Sequence, residues 1–509
     1  MTLIRRKRFW IAGLLFLSPI LLLVFAHLHG KWSLARLKKQ LVQRGEKLTV
    51  GENEPRYGAG ENGFRPLMQA VGQARGSSAG SLLPPMTRAP LPSTLVPLRY
   101  LTNWTSSGRS NVNWVTLATA MEPFSNALAE AKSLLHESVL DPRLDFRLGF
   151  SIPLPHLAQL KGFSQNLTAA AILALQAGQL DTAKDHIKDT LATADIMERE
   201  PLLISQLVRY AILSIAANST WHALQYPGWT EPQLLDLQRT WQSVEVLPQL
   251  SAALEMERAI CIDAFGNMRR SGKMLNDYLT GGVNNNASDP GEFFSQAATR
   301  SVLVPIWQFS LSYGDERHYL EGFQAQLELV RSSAQQRSGV SSRGAAEQAE
   351  QASREGGLQR LRHLMSHTLA SAVGRTLERA LQAETQKELA VAALALQRYA
   401  LRHGHMPATL DQLVPEFVEA VPRDYFAGAP LLYRTNAAAA PLLYSIGADG
   451  KDGGGDATAP AGSAIPASFN GRDVVWPTAI PEDKLEVAFK YLDCNVTNAS
   501  KLAPRSGRQ

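Results

Sequence analysis

The sequence contains little cysteine and no phosphate-binding loop, and each absence excludes a class of protein. Only two of its 509 residues are cysteines, Cys261 and Cys494, and they form no CxxC pair. A disulfide-rich scaffold and a cysteine-ligated zinc module are therefore excluded, whereas one bridge between these two residues in an oxidising compartment stays open. The chain also lacks a G-x-x-x-x-G-K-[ST] loop, so a P-loop nucleotide site is excluded.

Positive charge is concentrated at the N-terminus, although the whole chain carries a net charge of +5. Residues 1–47 contain ten of the 51 Lys and Arg residues and one acidic residue, Glu46, which leaves 41 basic and 45 acidic residues in the remainder. The large C-terminal part is therefore slightly acidic. It has no stripe of Lys or Arg interleaved with aromatic residues, so we expect no nucleic-acid partner.

The basic cluster RRKR at 5–8 precedes an apolar run, residues 9–26, that carries no charge. Eighteen helical residues span about 27 Å, close to the hydrocarbon thickness of a bilayer. The pattern predicts a cytoplasmic tail over 1–8 and an uncleaved transmembrane signal anchor over 9–28. Because the apolar run exceeds the length usual in signal peptides, we favour the anchor, and a cleaved signal peptide ending near Ala26 is the alternative. The clustered basic residues predict an inner-membrane, single-pass protein whose C-terminal body lies outside the cytoplasm.

The remainder of the chain is predicted to be mainly α. Residues 29–111 are predicted to form a juxtamembrane helix followed by a Gly/Pro-rich linker. A helical-hairpin body is predicted over 112–380, because apolar residues recur there at i, i+3, i+4 and i+7. Two polar stretches within the body, near 281–296 and 332–357, lack this period and are predicted to be mobile.

One helical hairpin can be placed in detail from the sequence. Gly178 separates two apolar-periodic runs, so we expect it to end one helix. The run from Asp181 to about Glu198 is then expected to pack antiparallel on the run before it. The side chains predicted to face the seam are Leu173, Ile187, Leu191 and Ile196.

No catalytic residues can be assigned from the body. His136-Glu137 lacks the second histidine of a zinc-binding H-E-x-x-H helix, since position 140 is leucine. Other acidic candidates are Glu255 and Glu257, which sit beside Arg258 and Asp263, and Asp315, Glu316 and His318. Ion-paired structural roles are the favoured interpretation of both groups, and an acid/base site is the alternative.

The C-terminal region carries the most specific pattern. A helix ending near Tyr399 is followed by Leu413-Val414-Pro415, by Val421-Pro422-Arg423-Asp424 and by PLLYSIGADGKDGGGD at 441–456. This order resembles the globular part of major (G-type) pseudopilins of type II secretion systems. The resemblance covers residues 381–480 and implies a small α+β pseudopilin-like module, followed by a tail over 481–509. The N-terminus has no prepilin-peptidase site, which implies a reused module rather than a pilus subunit.

The resemblance also implies calcium. In that family the Gly/Asp loop holds a calcium ion, and Asp449 and Asp456 fall on its acidic positions. Asp452 lies between them, and Asp473 is the nearest replacement for a further family carboxylate. Glycines at 450 and 453–455 allow the backbone to curl so that oxygens converge, as a hard cation requires. The alternative is a solvated turn, because Asp and Gly are ordinary turn residues.

Two functions remain open. The first is a membrane-anchored extracytoplasmic scaffold or binding protein that contacts the membrane and other envelope proteins, with an unknown small-molecule ligand. The second is an envelope enzyme of the hydrolase class, with a dispersed acidic site in the helical body. The absence of a catalytic motif favours the first. The arrangement as a whole also resembles single-span helical envelope proteins of Planctomycetes and Verrucomicrobia type, which implies an architecture but no activity.

Overall fold

A computed structural model describes most of the chain. The residues described are 2–74, 79–83, 94–95, 97–106, 109–137, 139–273, 275, 304–342, 362–363, 365–366, 373–436, 439–456 and 472–479. The side chains of residues 2–17, 19 and 20 lie outside this description. The polar stretch at 281–296, the tail at 481–509 and Cys494 also lie outside it.

The described chain is mainly helical, as predicted. The helices are α1 (Thr2–Gln43), α2 (Val50–Asn53), α3 (Phe64–Ala74), α4 (Ala79–Leu82), α5 (Trp114–Met121), α6 (Ser125–Glu137), α7 (Pro155–Gln176), α8 (Leu180–Asp195), α9 (Leu203–Ala223), α10 (Glu231–Gln242), α11 (Leu247–Arg270), α12 (Ser312–Gln336) and α13 (Val373–His403). The strands are β1 (Thr94–Leu95), β2 (Asn103–Ser106), β3 (Arg109–Asn113), β4 (Arg423–Asp424), β5 (Ala429–Pro430), β6 (Leu432–Asn436), β7 (Ala439–Ser445), β8 (Val474–Trp476) and β9 (Thr478–Ala479).

The first helix is unusually long, because α1 runs without a break from the basic cluster to Gln43. Its C-terminal half packs against α12 and against a π-helical turn, Trp307–Leu311, that leads into α12. The two helices approach closely where Gly30 meets Gly314, since a Cβ on Gly30 would lie 3.1 Å from the Gly314 nitrogen. Within the described part of the chain, no helix is long and apolar enough to cross a membrane.

The predicted hairpin is present. Gly178 lies between α7 and α8 with φ +73°, a left-handed conformation that glycine adopts without strain. Ile187 and Leu191 are fully buried on α8, and Ile196 is buried just beyond its end. Leu173 is half-buried at the edge of the seam. The helical period alone therefore placed this pair, although α8 ends three residues earlier than expected.

Part of the predicted linker is folded. Leu67, Ala70 and Val71 bury one face of α3, and this face packs against α6 and α7. The i, i+3, i+4 spacing of these residues satisfies a helix within a stretch whose overall composition is rich in glycine and proline. The second polar stretch also begins as helix, because α12 continues to Gln336.

The C-terminal segment packs on the helical body and shares its core. Helix α13 contacts α9 and α10, and the predicted module boundary at residue 381 falls inside it. Strands β6, β7 and β8 form an antiparallel sheet. Two contacts join this region to earlier helices: Trp221 Nε1 donates to the Pro477 carbonyl at 2.7 Å, and Gln238 Nε2 donates to the Phe417 carbonyl at 2.8 Å. Strand β9 also pairs in parallel with β1.

We expect Leu191→Ala to destabilise the protein by about 2–5 kcal/mol, because it removes a fully buried side chain from the α7–α8 seam. Chemical denaturation followed by circular dichroism measures the change. Leu148→Ala is the matched control, since Leu148 is exposed and its loss leaves no cavity. Equal stability of the two variants would contradict the assigned seam.

Candidate functional site

Asp315, one of the predicted acid/base candidates, is a buried structural anchor. Its carboxylate accepts hydrogen bonds from Trp307 Nε1 at 2.8 Å, from the Met365 amide at 2.8 Å and from the Ser366 amide at 3.0 Å. Burial raises its pKa, and the hydrogen bonds oppose that rise only in part. The carboxylate therefore ties residues 365–366 to the start of α12.

Glu316 is equally engaged. It has no exposed surface and contacts Lys38 Nζ and Arg269 Nη2, each at 2.5 Å. The pair of cations comes from α1 and α11, so this carboxylate joins three helices. His318 stacks on His363 with ring centroids 3.9 Å apart.

The second acidic group belongs to a different cluster, centred on Glu46. Arg331 binds the Glu46 carboxylate through both terminal nitrogens, at 2.5 and 3.0 Å, and Arg258 Nη2 binds it at 2.9 Å. Gln324 Nε2 adds a hydrogen bond at 2.9 Å. Burial alone would raise the pKa of Glu46, but these donors outweigh it and lower the pKa to about 2. Glu46 is therefore ionised at every physiological pH.

Arg258 does not pair with the acidic residues on its own helix. Arg258 binds Glu46, and Glu255 instead contacts Arg331 at 2.9 Å. Burial raises the pKa of Glu257 to about 7. Arg258 and Arg269, which mark the two clusters on α11, are separated by about 16 Å of helix. The two groups of candidates therefore do not form one catalytic cleft.

The Gly/Asp loop is held together by its own polar contacts. Asp452 contacts Arg434 Nη2 at 2.8 Å and accepts a hydrogen bond from the Tyr444 hydroxyl at 2.9 Å. Asp473 accepts hydrogen bonds from the Gly453 and Gly455 amides at 3.2 and 2.7 Å.

The remaining two predicted ligands are also engaged. Asp456 contacts Arg472 at 2.5 Å, and Asp449 accepts a hydrogen bond from the Lys451 amide at 2.9 Å. Among the described residues, no group of three His, Cys, Asp or Glu side chains is arranged to hold a metal ion. In this geometry the four aspartates do not converge, and calcium binding stays a prediction.

A cavity of about 550 Å³ within the described part of the chain is a candidate ligand site. Three segments form it: the residues before α3, the C-terminal end of α6, and the turn from α8 to α9. Its polar lining is Tyr57, His136, Asp195 and Arg199. Its apolar wall is Leu135, Val139, Leu140, Ala192 and Ile196.

The polar groups that line the cavity include an acid, a base and a neutral hydroxyl. Although 46% of the Asp195 side chain is exposed to the cavity and solvent, burial of the rest raises its pKa to about 6, and Arg209, whose Nη2 lies 3.6 Å away, opposes the rise. The Tyr57 hydroxyl is buried without a hydrogen-bond partner in the described structure. Burial, then the charges of Glu200 and Asp141, raise its pKa. Arg199 forms no ion pair with a described residue. The cavity therefore offers two hydrogen-bond donors, the neutral Tyr57 hydroxyl and the cationic Arg199 guanidinium.

His136 gives the cavity a histidine–carboxylate pair. Its Nε2 lies 2.8 Å from Asp189 Oδ1, and Lys132 lies 3.0 Å from the other oxygen of that carboxylate. Asp189 is buried, whereas about half of the His136 side chain is exposed. The carboxylate orients the ring, which is the geometry that a general base requires.

Sequence reasoning found His136 only as part of an incomplete zinc motif and did not find the other cavity residues. No local pattern marks them, because Tyr57 and Arg199 are more than a hundred positions apart. Comparison with family models, with curated proteins and with solved structures finds no match. The likeness to pseudopilins therefore stays a prediction.

Asp195 should make stability depend on pH in a characteristic way. The folded pKa of about 6 exceeds the ordinary 3.8, so the unfolded chain releases this proton first and stability falls as the pH rises from about 4 to about 6. We expect Asp195→Asn to raise the melting temperature above that window by the equivalent of about 1 kcal/mol, and to have little effect below it.

Asp181→Asn on the same helix is the control. Hydrogen bonds lower the pKa of Asp181, so its substitution should not stabilise the protein at high pH. Differential scanning calorimetry across the pH range measures both variants. A gain for Asp195→Asn that is independent of pH would show that ionisation is not its cause.

Calcium binding is tested on the full chain by thermal melting with calcium or with a chelator. The predicted result is a higher melting temperature at roughly millimolar calcium, the affinity typical of extracellular modules. Asp449→Ala should abolish the shift, and Asp411→Ala, an exposed carboxylate outside the loop, should not. A wild-type chain whose melting is unaffected by calcium would leave the loop as an ordinary turn.

Proposed function

We propose that the protein is a membrane-anchored extracytoplasmic binding protein or scaffold. The observation that supports this proposal most directly is the continuity of α1. One helix contains the uncharged run 9–26 and then enters the body, where Glu46 and Lys38 form ion pairs with α11 and α12. An anchor joined to the body in this way fixes the body near the bilayer surface, whereas a flexible linker would not.

The cavity supports the binding role. Its volume suits a small molecule, and the Tyr57 hydroxyl and the Arg199 guanidinium supply donors that no described residue uses. Asp195 supplies a carboxylate whose pKa of about 6 allows it to accept or donate a hydrogen bond near neutral pH. We propose a small polar ligand that carries hydrogen-bond acceptors, and other envelope proteins as macromolecular partners.

The C-terminal segment would serve as a pseudopilin-like module with a calcium-binding loop. The sequence of its Gly/Asp loop supports this proposal. Calcium would require Asp452 and Asp456 to rotate away from Arg434 and Arg472. Such a rearrangement favours weak rather than tight binding.

An envelope hydrolase is the second candidate, favoured by the His136–Asp189 pair at 2.8 Å beside the cavity. A panel of chromogenic ester and amide substrates distinguishes the two functions. Turnover that His136→Gln abolishes, in a variant that melts like the wild type, would favour the enzyme. Unchanged background hydrolysis would favour binding.

The topology gives the direct test of the proposed function. Alkaline phosphatase fused after residue 110 should be active, and the chain with an N-terminal epitope should stay in the membrane after alkaline carbonate extraction. Replacing the RRKR cluster at 5–8 with neutral residues is the control, because it removes the charges that orient the anchor. An inactive fusion in a stable protein would place the body in the cytoplasm. Loss of the epitope from the membrane would indicate a cleaved signal peptide.

A further inference from the structure

Exposed apolar residues lie on α1 and on the adjoining turn of the body. Leu21, Phe25, Leu28 and Trp32 lie on one face of α1 at helical spacing, and all four are 61% or more exposed. Phe309, in the π-helical turn Trp307–Leu311, is 55% exposed and stacks on His27 with ring centroids 5.2 Å apart. We call these five residues the apolar rim. Exposed apolar side chains that lie near one another at one level of a molecule are typical of an interaction surface.

Contacts fix the level of the rim relative to the predicted anchor. Ser310 Oγ donates to the Leu23 carbonyl at 2.8 Å, and His27 Nδ1 donates to the Phe309 carbonyl. Leu23 lies three residues, or about 5 Å, before the end of the uncharged run at Ala26. The π-helical turn is therefore level with the boundary between hydrocarbon and headgroups.

The end of α11 approaches the same level. Gln308, beside Phe309, donates to the Met268 carbonyl at 2.8 Å. Helix α11 runs opposite to α1, because Arg258 contacts Glu46 far from the anchor whereas Met268 contacts the turn near it. The last residues of α11 and those that follow therefore point toward the predicted bilayer.

Basic residues surround this end of the molecule. Lys31, Arg270 and Lys273 are exposed, and none forms an ion pair with a carboxylate of the described residues. Glu316, a buried carboxylate that contacts the end of α11, is already neutralised by Lys38 and Arg269. An apolar stripe bordered by unpaired cations matches a leaflet that contains anionic phospholipids.

We propose that the body rests on the bilayer through a second contact besides the anchor: Phe309 inserts at the acyl–headgroup boundary, and Lys31, Arg270 and Lys273 bind phospholipid phosphates. This inference rests on the proposed membrane anchoring. The lipid is favoured over a protein partner because the rim is continuous with the uncharged run of α1 and has the charge that anionic headgroups attract.

Depth-dependent fluorescence quenching tests the contact in the full chain. Phe309→Cys and Phe150→Cys are each labelled with bimane in a Cys494→Ser background and reconstituted into vesicles of phosphatidylcholine, alone or mixed with phosphatidylglycerol. Phe150 is the matched control, since it is 54% exposed and its neighbour Gly149 contacts Ile260, about 15 Å along α11 from Arg270. Lipids brominated near the glycerol end should quench the label at 309 by about twofold and leave that at 150 unchanged.

Charge reversal tests the headgroup contact. Arg270→Glu with Lys273→Glu should lower the ratio of quenched to unquenched label at position 309 in anionic vesicles. The expected decrease is about fivefold for each of the two cations lost, and the two added carboxylates lower the ratio further. It should have little effect in pure phosphatidylcholine or at high salt, where attraction is absent or screened. Equal circular dichroism and melting temperature of the variants confirm that they fold.

The outcomes separate the inference from the proposed function. Quenching at 309 but not at 150, sensitive to anionic lipid, supports the contact. A chain that remains with the vesicles after carbonate extraction but shows no quenching at 309 overturns the contact and leaves the anchor intact. A label at 309 that is shielded from both water and lipid indicates a protein partner and overturns the contact as well. A chain that does not remain with the vesicles overturns both proposals.

Discussion

The carboxylate of Glu46 determines how α1 meets the rest of the protein. It lies just beyond the end of α1 and is bound by Arg331 and Arg258, from α12 and α11. Arg258 is fully buried, so losing its partner would leave an uncompensated charge in the interior, which typically costs about 3–5 kcal/mol. The low pKa of Glu46 keeps the cluster charged. The orientation of the long helix therefore depends on this cluster as well as on its packing against α12.

The acidic groups of this protein divide into two kinds. Asp315, Glu316 and Glu46 have their oxygens engaged by cations or amides from other helices, and they act as joints between elements. Asp195 is different, because it lines a cavity and its ion pair with Arg209, at 3.6 Å, is the one it forms with a described residue. A carboxylate that is incompletely neutralised retains interaction energy for a ligand. This contrast, rather than the number of acidic residues, separates structural clusters from a candidate site.

The sequence predicted the elements whose signals are local. Gly178 and the spacing of Ile187 and Leu191 identified a hairpin because turn and helical period act within a few residues. Helix α3 was not predicted, because its apolar residues lie within a segment rich in glycine and proline. The contact of Arg258 with Glu46 joins residues 212 positions apart, and the cavity combines three separate segments. Such relations arise only when the whole chain packs, and no local pattern encodes them.

The bond between Trp221 and Pro477 joins residues 256 positions apart, and strand β9 adjoins β1 from the N-terminal part of the chain. During synthesis the middle helices emerge well before residues 474–479. The Trp221 indole therefore lacks its hydrogen-bond acceptor, the Pro477 carbonyl, until those residues have been made. The core can close only after residues 474–479 have left the ribosome. Until then the nascent protein exposes apolar surface, which chaperones that hold unfolded chains can bind.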